Sequence, residues 1–219
     1  MQSHLFVSES KFLERARLAL TSAATHEIIK AALIEYGCTE ETLTSGDGIL
    51  ANAVSTKEQT KIETSEIKNA GNQYKDTYSK VQALFKRHRD LGQIFFKKKP
   101  NILITIGGTG PFPTVYNEFF SAVKHFYTSI KNSAEIQAEF DRIKITSVEV
   151  DKVLGLLDQL LAERQQYDTE MGEAQDATAL KNVALLELKN FMDEFDTIAK
   201  VALYDRPQLL EVLGIFVRN

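Results

Sequence analysis

Apolar residues recur every three or four positions along nearly the whole chain, a spacing that predicts helices rather than strands. Between Ser10 and Tyr36 these positions are Leu13, Ala16, Leu20, Ala23, Ile28 and Ala31, which predicts one first helix over that stretch. Gly37 suits its stop, because glycine takes the left-handed cap conformation without a Cβ penalty. Thr39 then reads as an N-cap. Glu40 and Glu41 follow it in the first turn, where negative charge opposes the helix dipole favourably.

From Glu40 to about Lys98 no stop signal interrupts the pattern. Leu43, Leu50, Ala53, Ile67, Tyr74, Tyr78, Val81 and Phe85 keep a coiled-coil-like spacing, and Lys97, Lys98 and Lys99 precede the closing Pro100. Residues 101–114, which carry Gly107-Gly-Thr-Gly110 and two prolines, read as one irregular connection. A third helix is predicted from Val115 to Ile143 on the stripe Phe119, Phe120, Val123, Phe126, Tyr127 and Ile130. Thr146 or Ser147 caps a fourth, which continues to about Tyr204. Pro207 suits the first position of a short final turn and Gly214 its cap.

Comparison of the chain with itself gives the strongest signal. Pro100-Asn-Ile-Leu-Ile-Thr-Ile-Gly107 matches Pro207-Gln-Leu-Leu-Glu-Val-Leu-Gly214, which defines one fixed offset, the step from Pro100 to Pro207. Without a gap, the same offset places Thr39 on Thr146, Ala16 on Val123, Leu43 on Val150, Leu50 on Leu157 and Val81 on Leu188. Any two amphipathic helices slide into apolar register, but one offset aligning a cap, two Pro…Gly ends and four helices is more demanding. The reading is a duplication, with residues 1–108 as one unit and 109–219 as the second, packed as one domain.

That offset also bears on the long helices. Gly71 falls on Thr178 and Gly172 on Ser65, so neither glycine is shared, and an isolated interior glycine costs only about 1 kcal/mol. Two unbroken long helices are expected, each about 58 residues and roughly 87 Å long. The competing arrangement breaks each near its midpoint into tandem three-helix bundles. The far halves carry Val81, Leu84 and Phe85, and Leu188, Phe191, Phe195 and Ile198, which need cover. Running the long helices antiparallel, with each short helix near one end, supplies it. The expected fold class is therefore all-α: an internally duplicated bundle of two short and two long helices, the long pair forming an antiparallel coiled-coil-like rod.

Composition narrows the class. The chain has 219 residues, 43% of them apolar and 26% charged, with a formal net charge of −4. A mildly acidic chain is a poor ligand for nucleic-acid phosphates, which need clustered positive charge. The single cysteine, Cys38, excludes an internal disulfide and fits a reducing compartment. Residues 1–10 show no secretory pattern, and the apolar stretch Ile102 to Ile106 is far too short to span a bilayer. A soluble, cytoplasmic protein is expected.

The C-terminal third carries Gly172-Glu-Ala-Gln-Asp-Ala-Thr178, Phe191-Met-Asp-Glu-Phe-Asp-Thr-Ile-Ala199 and Pro207-Gln-Leu-Leu-Glu-Val-Leu-Gly-Ile215. Over about residues 170–216 this pattern resembles a group of bacterial all-helical proteins with no known activity. The resemblance implies a bacterial source and a helical fold, and adds no function. The first segment departs from it, with Ile102, Ile104 and Ile106 in place of a Leu-rich turn.

Chemistry-bearing residues are scattered. His4, His26, His88 and His125 form no helical ligand pair, and His88 falls on an apolar stripe, aligned with Phe195. Cys38 precedes a helix N-terminus, which lowers thiol pKa values, yet its counterpart is Ile145, as for a buried small residue. Gly107-Gly-Thr-Gly110 precedes a helix as phosphate loops do, but lacks their Lys-Ser/Thr ending and a βαβ setting. Lys86, Arg87, Arg89 and Lys97 to Lys99 form the one basic concentration. The aligned part of the second segment has Asp193, Glu194, Asp196 and Asp205, so the two long helices carry opposite charge there. Glu163, Asp168, Glu170, Glu173 and Asp176 read as solvated helix surface. No catalytic, cofactor-binding or metal-ligating residue is assigned.

A non-enzymatic structural or protein-interaction bundle is the expected function, with a protein partner or self-association and no nucleic acid. The alternative is a membrane-interacting protein that inserts the apolar segment 101–113 beside the lysine cluster.

Overall fold

The computed structural model describes residues 8–216. Eight helices follow in order: α1 Glu9–Thr25, α2 Glu27–Glu35, α3 Glu40–Phe95, α4 Pro100–Thr105, α5 Tyr116–Lys131, α6 Ala134–Asp141, α7 Ser147–Ala202 and α8 Gln208–Val212. No strand occurs among the described residues. The architecture is an all-α bundle. Its two long helices, α3 and α7, have 56 residues each and run through Gly71 and Gly172 without a break. The offset that carries Pro100 onto Pro207 also carries the first residues of α1, α2 and α3 onto those of α5, α6 and α7.

Each expected short helix is in fact two. His26 is extended at φ −89° and ψ 105°, separating α1 from α2. Ser133, extended at φ −123° and ψ 109°, does the same between α5 and α6, and its hydroxyl accepts from the Ile136 amide. The break re-phases the apolar face. Ile28 and Ala31 become exposed, while Ile29 and Leu33 are buried. Apolar spacing survives such a re-phasing, so the pattern alone reads across it.

The expected irregular connection over residues 101–114 also needs correction, because its first part is helix α4. Pro100 occupies the first turn, where its missing N–H is harmless. Gly107, at φ +66°, closes the helix: the Gly108 amide donates to the Leu103 carbonyl at 2.7 Å and the Gly107 amide to Ile104 at 3.1 Å. Gly214, at φ +68°, closes α8 with the same pair of bonds, Ile215 to Leu210 at 2.9 Å and Gly214 to Glu211 at 2.9 Å.

The described helices pack as two compact units. Unit 1 is Met1–Ser65 with Gly172–Asn219, and unit 2 is Glu66–Met171. Each draws on both sequence segments, because each takes one half of α3 and one half of α7. Unit 1 buries Leu20 of α1, Leu33 of α2, Leu43 and Leu50 of α3, Leu188 and Phe195 of α7, and Leu213 after α8. As its part of α3 advances from Gly46 to Thr60, the α7 neighbours retreat from Phe191 to Ala177, so the two run antiparallel.

Unit 2 has an aromatic core. Phe85 lies 5.4–6.4 Å, ring to ring, from Phe112, Phe119, Phe126 and Tyr127. Val81 and Leu188, the far-half residues that needed cover, are both fully buried. Burying a side chain of that size stabilises by about 1.5–3 kcal/mol.

Candidate functional site

The chain at the capping glycines Gly107 and Gly214 is held by a guanidinium in each case. In unit 1 Arg15 of α1 donates to the Gly214 carbonyl at 3.3 Å and to the Asp196 carboxylate at 2.5–2.6 Å. In unit 2 the corresponding duty falls to buried Arg89 of α3. It donates to the carbonyls of Thr109 at 3.2 Å, Pro111 at 3.4 Å and Gly110, and lies 5.8 Å from the Phe112 ring. Gln93 donates to the Gly108 carbonyl at 2.8 Å. The glycine-rich loop therefore turns carbonyls toward donors and uses its first two amides to cap α4. That is the reverse of a phosphate cradle, which collects amides around an anion.

The remaining sequence candidates are dispersed. His4 lies outside the described residues. His26 sits at the α1–α2 break with Nδ1 buried and without a hydrogen-bond partner. His125 is exposed on α5, its ring packed over Gly107. His88 is buried, with Nδ1 2.8 Å from the Tyr127 hydroxyl. Desolvation pushes the His88 pKa below the ordinary imidazole value and pushes the Tyr127 phenol well above its own. Both groups thus stay neutral. Cys38 is buried and its thiol pKa is raised by desolvation, so the activating effect of a helix N-terminus does not prevail.

The basic concentration divides. Lys86 pairs with Asp90 at 3.3 Å and Lys99 with Glu139 at 2.5 Å, Arg89 is inside, and Arg87, Lys97 and Lys98 are exposed. Among the acidic residues, Asp168 is bound by Arg164 at 3.0 Å.

Apolar spacing assigns Tyr74 and Tyr78 to a coiled-coil seam and passes over the cluster they build in unit 2. The Arg164 guanidinium lies 5.5 Å from the Tyr74 ring and 5.4 Å from the Tyr116 ring. Tyr167 stacks on Tyr74 at 6.2 Å, and Tyr78 packs on Tyr116 at 6.5 Å. Burial raises the pKa of Tyr78 and Tyr116, and the Tyr116 hydroxyl is buried without a hydrogen-bond partner. Spacing offered one clue, the pair Tyr74 and Tyr78 a single helical turn apart on α3. At the matching positions of the repeat, unit 1 has Lys181 bound to Glu9 at 2.8 Å and Lys57 bound to Ser10 at 2.8 Å. One unit ties this place with polar contacts, the other with a cation among rings, so the cluster has a structural counterpart.

Beside α5, unit 2 has an open groove of about 810 Å³, lined by Phe120, Lys124, His125, Thr128 and Asn132 among others. The remaining candidate is a surface. In the second half of α7, Leu180, Val183 and Leu186 are 63%, 67% and 57% exposed. Counted from their first residues, the two long helices compare position by position. At these three places α3 has Gln73, Asp76 and Ser79, all exposed. The bundle therefore accommodates polar groups where α7 shows apolar ones.

Among the described residues no helix is long and apolar enough to cross a membrane. Comparison with known protein families, with curated proteins and with solved structures gives no match.

Proposed function

We propose that the chain is a non-enzymatic protein-interaction bundle whose contact surface is the exposed face of the second half of α7. The observation that carries this reading is the contrast between Leu180, Val183 and Leu186 and their polar counterparts Gln73, Asp76 and Ser79. Contiguous exposed apolar side chains mark interaction sites when folding does not need them there. The cysteine and the buried histidine support the same reading. Cys38 is buried with its thiol pKa raised by desolvation, and His88 is engaged with Tyr127 inside a core.

The membrane alternative has less to draw on. Leu103 and Ile106 of the apolar segment are buried, and Phe112 packs on Phe85, leaving Ile104 as its outward apolar side chain.

A photo-crosslinking residue at Leu180 or Val183, compared with one at the exposed Glu14 of α1 or Glu35 of α2, tests the proposal in cells. Protein adducts are expected from the α7 positions and not from α1 or α2. Equal labelling from all of these positions, or none from any, would remove it.

A further inference from the structure

Within the exposed faces of the long helices, two series of residues recur at steps of seven. On α3 they are Lys80, Arg87 and Ile94, all exposed, Ile94 by 70%. On α7 they are Leu180, Glu187 and Glu194, again all exposed, Leu180 by 63%. A step of seven keeps residues on one helical face when two helices supercoil. Laid antiparallel, the series meet end to end: Lys80 against Glu194, Arg87 against Glu187, Ile94 against Leu180. Each charge finds its opposite and the two apolar residues find each other, over about 21 Å of helix.

Flanking charges do not blur this complementarity. Lys86 and Asp90 neutralise each other along α3, and Lys189 and Asp193 do so along α7, at 3.3 and 2.5 Å. Lys80, Arg87, Glu187 and Glu194 make no ion pair among the described residues. The α3 series belongs to unit 2 and the α7 series to unit 1.

We infer that the occupant of the α7 face is a second copy of this chain, docking its α3 face antiparallel to form the three pairs named above. This rests on the proposed interaction surface and names its partner. Because the two faces differ, the contact is head-to-tail and propagates into rings or chains of copies. Two ion pairs on an exposed seam make it strongly salt-dependent, since the Debye length contracts to about 3 Å at 1 M salt.

Sedimentation velocity on the full chain tests this. Wild type is expected to associate at low ionic strength and to dissociate at high salt. Lys80→Glu/Arg87→Glu makes both faces acidic, and Glu187→Lys/Glu194→Lys makes both basic. Each variant alone is expected to lose association at least tenfold. An equimolar mixture is expected to recover it, because every contact then joins an acidic face to a basic one. Recovery also shows that both variants are folded. Strictly monomeric wild type at low salt, or association indifferent to the reversals, would overturn self-docking. The crosslinking adducts at Leu180 separate the two levels. A doubled chain mass supports the second copy. An adduct with a different protein overturns self-docking while keeping the interaction surface, and no adduct overturns both.

Discussion

Nδ1 of His88 and the hydroxyl of Tyr127 lie 2.8 Å apart inside the core of unit 2, and both side chains are buried. The matching positions of the repeat hold Phe195 and Leu20, so unit 1 fills this place without polar groups. Desolvation holds the imidazole neutral, with Arg87 and Lys152 adding to the effect and Glu149 opposing it. In the unfolded chain the ring takes a proton near pH 6.5, its ordinary value. The folded chain takes it only at lower pH. Between the two the unfolded state binds more protons, so this contribution is complete above about pH 6.5 and is lost as pH falls below it. Urea unfolding at pH 7 and pH 5 is expected to show a larger acid loss for wild type than for His88→Phe/Tyr127→Phe. The single variant His88→Phe leaves a buried hydroxyl unpaired and is expected to cost about 1–3 kcal/mol, most of it restored in the double variant.

Gly46 of α3 is buried where a Cβ would stand 2.5 Å from the Phe191 ring and 3.0 Å from Leu20. Its counterpart is Val153, and that of Phe191 is Leu84, so unit 1 pairs a small residue with a large one where unit 2 has two of intermediate size. Gly46→Ala is expected to destabilise by about 1–3 kcal/mol through overpacking, despite alanine's better helix propensity. Adding Phe191→Leu is expected to recover most of that. Gly48, two positions on, is exposed with open space around it, and Gly48→Ala is expected to stabilise by roughly 0.5–1 kcal/mol. Thermal unfolding distinguishes the three.

Arg89 ties the loop after α4 to the core through the carbonyls of Thr109, Gly110 and Pro111. A charged hydrogen bond contributes about 1.5–3 kcal/mol, and the carbonyls lose their donor when it goes. Arg89→Met is expected to lower stability by about 2–3 kcal/mol and to open the chain between Gly107 and Val115 to limited proteolysis. Arg89→Lys recovers little, because an ammonium lacks the planar fork that spans several carbonyls. Mapping the first cleavage site reads the outcome directly.

Much of the fold was legible because its signals are local. The Gly37 and Gly214 stops, the Thr39 cap and the stripes on α3 and α7 each follow from a few neighbouring residues. Helix α4 with its Gly107 stop, read as irregular chain, was not, and neither were two other things. The breaks at His26 and Ser133 leave the apolar pattern readable straight across them, and the Ser133 cap is the one local sign of either. The second half of α7 is apolar on more than one side. Spacing alone does not say that Ala184, Leu185 and Leu188 go inward while Leu180, Val183 and Leu186 stay out. That choice depends on which helices arrive to pack, and it decides the candidate surface.

Lys144 is the one described non-glycine residue at positive φ, 65°, and its partner in the repeat is Gly37, at φ +89°. Both end a helix in the same way. The Cys38 amide donates to Leu33 at 3.0 Å and Gly37 to Ile34 at 3.1 Å; Ile145 donates to Phe140 at 3.1 Å and Lys144 to Asp141 at 3.0 Å. A side chain in the left-handed region costs roughly 1–2 kcal/mol, because Cβ crowds the following carbonyl. The Lys144 side chain is exposed and its ammonium takes part in no ion pair among the described residues, so removing it gives up little. Against the relief stands the greater freedom of glycine in the unfolded chain, about 0.5–1 kcal/mol. Lys144→Gly is therefore expected to stabilise by up to about 1 kcal/mol, and Gly37→Lys to destabilise by a comparable amount. Equilibrium denaturation of the two variants checks both signs. If Lys144→Gly lowers stability instead, the strain assigned to its backbone is compensated by contacts of the side chain.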